Sequence, residues 1–159
     1  MKAIIYLSIL SIFFIASSVC RAQEVMAKVS YDSITKTVFI NVINNSDVRM
    51  IVFNHMAPHI SSEIIFILKN NEQETVYNNI MNIARLTLKG ASRSKELYII
   101  PSKSTSVFQL KIAGFLEGLN QEEIKTVKKI SLRAELKYFF ERQSKEPPRP
   151  IVISETFDF

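Results

Sequence analysis

Residues Lys129 to Glu141, KISLRAELKYFFE, constrain the fold more than any other part of the chain. Ile130, Leu132, Ala134, Leu136, Tyr138 and Phe140 occupy alternate positions, and Lys129, Ser131, Arg133, Glu135, Lys137 and Glu141 occupy the positions between them. A strand turns successive side chains to opposite faces, so this period of two describes one face on a core and one in water, as in an antiparallel sheet. Phe139 is the exception, an aromatic on the polar face, and it is a candidate partner contact for that reason.

The same period recurs upstream and downstream. Val25, Ala27, Val29 and Tyr31 alternate with Met26, Lys28, Ser30 and Asp32, and Asp32-Ser33 closes this first strand. Val38, Ile40 and Val42 follow, then the turn Asn44–Asp47, then VRMIVFN, so Val38 to Phe53 is expected to form a hairpin. EIIFILK makes a further strand, and a short TVY is placed to pair back across it. Ile80 to Lys89 fits a helical turn or a strand equally. Strands KELYII and SVFQLKI flank the turn Pro101–Ser104, and IVISETFDF, with Ile151, Ile153, Phe157 and Phe159 alternating, is the last. Its place at the end of the chain makes it a candidate edge strand or a segment donated to a neighbour. One helical stretch stands out, Asn120 to Lys125, which begins with a capping residue and acids in its first turn and crosses between strands.

The expected fold is therefore all-β, an antiparallel immunoglobulin-like β-sandwich of seven to nine strands with one short helical crossover. VFINVINNSDVRMIVF, IPSKSTSVFQL and LRAELKYFF together resemble the secreted bacterial single-domain immunoglobulin-like proteins. The resemblance implies an architecture and no activity, since fold does not give function.

The N-terminus reads as a secretory leader. Met1-Lys2 is a short basic start, Ala3 to Ile15 is apolar but for Ser8 and Ser11, and Cys20-Arg21-Ala22 places small residues at both cleavage-determining positions. Residues 1–22 are expected to be a cleaved signal peptide and 23–159 one domain in the periplasm or outside the cell. The competing reading makes Cys20 a lipid anchor. Against it, Ser17 and Val19 stand where such a signal wants an aliphatic and a small residue. Ala3 to Val19 also falls short of the roughly 20 apolar residues that span a bilayer.

Cleavage after Ala22 would remove the only cysteine and leave 137 of 159 residues, enough for a core without disulfides. Loss of Lys2 and Arg21 would leave 18 basic residues against 15 acids. Interleaved as these charges are, they form no concentrated basic face, which argues against nucleic acid as a partner.

Chemical motifs are sparse. His55 and His59, in NHMAPHISS, are four apart, but Pro58 disfavours a helix between them, and zinc wants more ligands than remain. His55, Met56 and His59 are instead read, with Phe139, as candidate partner contacts on a loop. Serine acyl-enzyme spacing S-x-x-K occurs at Ser33 to Lys36 and Ser92 to Lys95 without its companion motifs. Three glycines, Gly90, Gly114 and Gly118, assemble no phosphate loop. No cofactor, metal or catalytic residue is expected. The expected function is that of a non-catalytic interaction module binding another envelope or extracellular macromolecule, a protein. The alternatives are a chaperone-like or protease-inhibitor-like domain of the same architecture, and a small hydrolase in which Glu63, Glu135, Glu155 and Asp158 would have to converge.

Overall fold

The computed structural model describes residues 24–53, 61–83, 86–93, 97–143 and 145–159. Residues 1–23, with Cys20, and residues His55, Met56 and His59 are not among the described residues. Eleven strands are present there: β1 (Val25–Asp32), β2 (Thr37–Asn44), β3 (Met50–Phe53), β4 (Glu63–Lys69), β5 (Thr75–Asn82), β6 (Thr87–Lys89), β7 (Ser92–Arg93), β8 (Leu97–Ile100), β9 (Ser104–Lys111), β10 (Lys129–Phe140) and β11 (Arg149–Asp158). Two short helices, α1 (Ala113–Leu116) and α2 (Gln121–Thr126), connect β9 to β10.

The strands form two antiparallel sheets. One runs β1-β2-β9-β6; the other runs β5-β4-β10-β3-β8-β7 with β11 on the remaining side of β10. The fold is thus all-β and two-layered, with more strands than the seven to nine expected because the short β6 and β7 carry little pattern of their own. A second short helix, α1, joins the one foreseen.

β10 organises the second sheet. Its even positions are buried and its odd positions are half-buried or exposed, as their alternation requires. Ile130, Leu132, Ala134 and Leu136 meet Val38, Ile40 and Val42 of β2 and Phe108 and Leu110 of β9 in a common core. Burying one such Leu or Ile is worth roughly 1.5–3 kcal/mol. Aromatic pairs lock the layers: Tyr98 of β8 and Phe108 of β9 meet edge to face at 5.4 Å, and Phe115 of α1 packs on Phe66 of β4 at 4.8 Å. The buried Tyr98 hydroxyl donates to the Ile83 carbonyl at 3.2 Å. α2 begins with the anticipated cap, Asn120 accepting from the Glu123 amide while the Glu123 carboxylate accepts from the Asn120 amide.

The expected hairpin from Val38 to Phe53 does not form. β2 pairs with β1 and β9, and β3 pairs with β8 and β10 in the other sheet. Asn44–Asp47 instead carries the chain from one layer to the other, beside the Pro101–Ser104 turn, which carries it back. Asn44 is the reason. Fully buried, it donates to the carbonyls of Val48 (2.9 Å) and Pro101 (2.8 Å) and accepts from the Ser46 amide and hydroxyl (3.1 and 2.7 Å). One side chain thereby ties both crossings together, and Lys103 adds a bond from its amide to the Ser46 carbonyl.

β3 and β4 lie end to end along the same side of β10. Glu135 faces Glu63 and Tyr138 faces Val52, so three steps along β10 correspond to eleven along the opposing chain. Nine residues, 54–62, therefore separate two strands that share one line of the sheet.

Candidate functional site: the open edges of β1 and β11

Among the described residues β11 is hydrogen-bonded only to β10, in one register from Tyr138 opposite Arg149 to Lys129 opposite Asp158. Which of its main-chain groups remain free follows from two bonds. The Lys137 amide donates to the Ser62 hydroxyl at 2.9 Å, on the β4 side, so Lys137 exchanges nothing with its β11 neighbour Pro150. At the other end the Phe159 amide donates to the Lys128 carbonyl at 2.8 Å. Alternation then turns the odd residues of β11 toward β10 and the even ones, Val152, Ser154 and Thr156, toward the open edge. Pro150 occupies a position whose N–H would point into solvent, the place where a strand tolerates proline.

Among the described residues β1 is the open edge of the other sheet, bonded only to β2. Glu24 accepts from the Asn45 amide at 2.8 Å, which assigns the even residues of β1 to β2 and leaves the main-chain groups of Val25, Ala27 and Val29 facing outward. Two unpaired edges from different sheets thus lie side by side and run in the same direction.

They are pinned at one end. The Tyr31 and Phe157 rings sit 5.8 Å apart, and the Lys36 ammonium lies 3.9 Å over the Phe159 ring. The Tyr31 hydroxyl is buried there without a hydrogen-bond partner, and burial, reinforced by Asp32, raises its pKa. Toward the start of both strands the edges part around a groove of about 480 Å³, walled by Val25 and Ala27 on one side and Ile151 and Ile153 on the other, with Tyr138 between them. Arg149 bonds Glu146 at 2.9 Å at this end. Burial raises the Tyr138 pKa, Glu24 adds to it, and the neighbouring Arg149 works against it. Aliphatic side chains at its base and a mostly polar exposed lining, with outward-facing amides and carbonyls along both rims, suit an extended peptide.

Of the residues singled out in the sequence, Phe139 is half-buried on the outer face of the second sheet, opposite Ile51, its ring 5.2 Å from that of Phe53. It is therefore part of an apolar cluster and not an isolated aromatic. The four carboxylates do not converge. Glu63 and Glu135 are cross-strand neighbours, whereas Glu155 pairs with Leu132 and Asp158 with Lys129. Glu63 and Glu135 share a recess of about 120 Å³ with Ser61 and Lys137, and the Lys137 ammonium lies 3.3 Å from Glu135. Ser33 and Lys36 lie in the β1–β2 turn, and Ser92 opens β7. Among the described residues no group of three or more His, Cys, Asp or Glu side chains could hold a metal ion, and no helix is long and apolar enough to cross a membrane. The β1/β11 groove escaped the sequence, whose one pointer to it was the terminal position of β11 after Pro150.

No protein-family profile and no curated protein matches the chain. Among solved structures it is distantly similar to the putative ApaA protein of Bordetella pertussis, at 8% identity and a TM-score of 0.40, covering 83% of this chain and 87% of that one. A protein from Archaeoglobus fulgidus is similar at 12% identity and a TM-score of 0.31, covering 86% of this chain and 96% of that one. AggA, the major subunit of aggregative adherence fimbriae type I from Escherichia coli, is similar at 8% identity and a TM-score of 0.36, covering 86% and 94%. These are loose likenesses among multi-stranded β proteins.

Proposed function

We propose that this chain is an exported, non-catalytic interaction module that binds an extended segment of a protein partner at the open edges of β1 and β11. The reading is carried by one observation. Val152, Ser154 and Thr156 direct unpaired main-chain groups into the space beside the groove, and those of Val25 and Ala27 face the same opening. An open strand edge is costly to leave bare, because it templates indiscriminate pairing, and proteins usually blunt it with lysines or very short strands. β11 spans Arg149–Asp158, contains no lysine, and carries its one proline at its second position, so the edge from Val152 to Thr156 lies beyond it. A specific partner strand, held by main-chain hydrogen bonds and by side-chain pockets at alternate positions, accounts for that. The leader at residues 1–22 is the basis for placing the module in the periplasm or outside the cell.

Hydrogen exchange tests the reading. In the assembly purified from the host, the Val152, Ser154 and Thr156 amides should exchange far more slowly than in the same chain isolated and dilute. Equal, fast exchange in both would overturn it.

A further inference from the structure

We infer that the strand accepted at this edge is β11 of a second copy, paired antiparallel about a two-fold axis at Val152; the inference rests on the strand-accepting reading above. Direction and face restrict the possible registers. Opposed residues in an antiparallel pair share a face, so a self-paired β11 must place even residues opposite even ones and odd opposite odd. Centring on Val152 sets Arg149 opposite the partner's Glu155, Ile151 opposite the partner's Ile153, and Val152 opposite itself, each asymmetric pair occurring twice. No other register brings Arg149 to Glu155. A centre at Ser154 sets Ile153 against Glu155, and a centre at Ile153 sets Ile151 against Glu155.

The main chain agrees with the same centre. Val152 is an outward-bonding position, so the two Val152 residues exchange N–H to C=O bonds across the axis. Each Ser154 amide then donates to the Pro150 carbonyl of the other copy. Proline at 150 forfeits only the bond it would have donated. Val152 is also 57% exposed, one of three large hydrophobic side chains so exposed among the described residues, and self-pairing covers it at the centre of the contact. Arg149 and Glu155 are both exposed, and Arg149, whose present bond to Glu146 lies at the surface, can turn to the partner's Glu155 or bridge the two carboxylates. Cross-strand ion pairs and aliphatic pairs are what stabilise such a ladder.

The test is sedimentation velocity on the full chain as the host processes it, from about 1 to 500 µM, a range that brackets a micromolar dimer. A reversible monomer–dimer equilibrium is expected. Arg149→Glu and Glu155→Arg each create two repulsive pairs and should weaken the dimer about ten-fold or more, while the double reversal should return it to within about three-fold of the parent. The double variant leaves Glu146 facing a glutamate at 149, so recovery identifies Glu155 as the partner of residue 149. A chain monomeric throughout, or a dimer indifferent to both single reversals, overturns the inference. A monomer whose Val152, Ser154 and Thr156 amides are still protected in the host assembly overturns self-pairing alone and leaves strand acceptance standing.

Discussion

The hydroxyl of Ser62 accepts a hydrogen bond from the main-chain amide of Lys137 at 2.9 Å, at the point along β10 where β4 has ended and β3 has not begun. A side chain there takes the place of a main-chain ladder partner. Ser62 is fully buried, so Ser62→Ala leaves the amide without its partner. The cost should be about 1–3 kcal/mol, read as a lower denaturant midpoint at unchanged slope. Because Lys137 lies opposite Pro150 in the β10–β11 register, loosening it should also speed exchange of the amides at the start of β11.

Asn44→Ala should be costlier. The Asn44 side chain satisfies two carbonyls and accepts from Ser46, all at the point where both crossings between layers meet. Several buried groups lose partners at once, and about 2–4 kcal/mol should be lost in equilibrium unfolding. Asn44→Asp removes the donors while keeping the acceptor, and should recover little of that loss.

Gly90→Ala tests backbone conformation in place of contacts. Gly90 has φ +78°, and a β-carbon added there would lie 2.7 Å from the Thr105 carbonyl oxygen, a main-chain atom that cannot swing aside. The Gly90 carbonyl also accepts from the buried Ser106 hydroxyl at 2.8 Å, which fixes the approach of β6 to β9. The substitution should cost at least 1 to about 3 kcal/mol, the usual range for side chains forced into that region. Thermal unfolding of the purified variant measures it.

The local alternation along β10 foretold its buried and exposed faces residue by residue, and the cap of α2 was equally plain, because both depend on near neighbours. Pairing across the chain was not legible. VFINV and VRMIVF look alike on either side of an Asn-rich turn, and nothing within them says that β2 and β3 enter different layers. That outcome depends on Asn44 reaching Pro101, a contact between segments distant in sequence. For the candidate site, the final alternating run was read as a candidate edge strand. The groove requires β1 from the opposite end of the chain to lie alongside, and the end-to-end placement of β3 and β4 appears only when their registers on β10 are compared.

Asp32 gives a pH dependence. The Thr35 hydroxyl bonds its carboxylate at 2.7 Å, and the Ile34 and Thr35 amides bond it at 2.9 and 3.3 Å, holding its pKa below the ordinary 3.8. A pKa depressed in the folded chain contributes stability that is fully present above the ordinary value and is lost as pH falls through the folded value. The contribution is therefore complete at neutral pH and disappears below the usual carboxylate range. In Asp32→Ala the melting temperature should fall less steeply with acid below about pH 4 than in the parent.

Glu63 and Glu135 offer the sharpest contrast between a catalytic and a binding molecule. They face each other directly across β4 and β10, an arrangement that costs stability unless something uses it, and the Lys137 ammonium lies 3.3 Å from Glu135. Paired carboxylates that perform acid–base work have pKa values driven apart by their surroundings, which calls for a closed, desolvated site. Glu63 is exposed on the outer face of the sheet, and the recess it shares with Glu135 is small. Glu63→Lys replaces a repulsive cross-strand pair with an attractive one and should raise stability by about 0.5–1 kcal/mol in urea unfolding. Binding at the β1/β11 edge should be unaffected, since Glu63 is separated from β11 by β10. A variant that is more stable and still binds makes this pair an incidental feature of the outer face. A variant that loses a function of the parent would transfer the candidate site from the sheet edge to this recess.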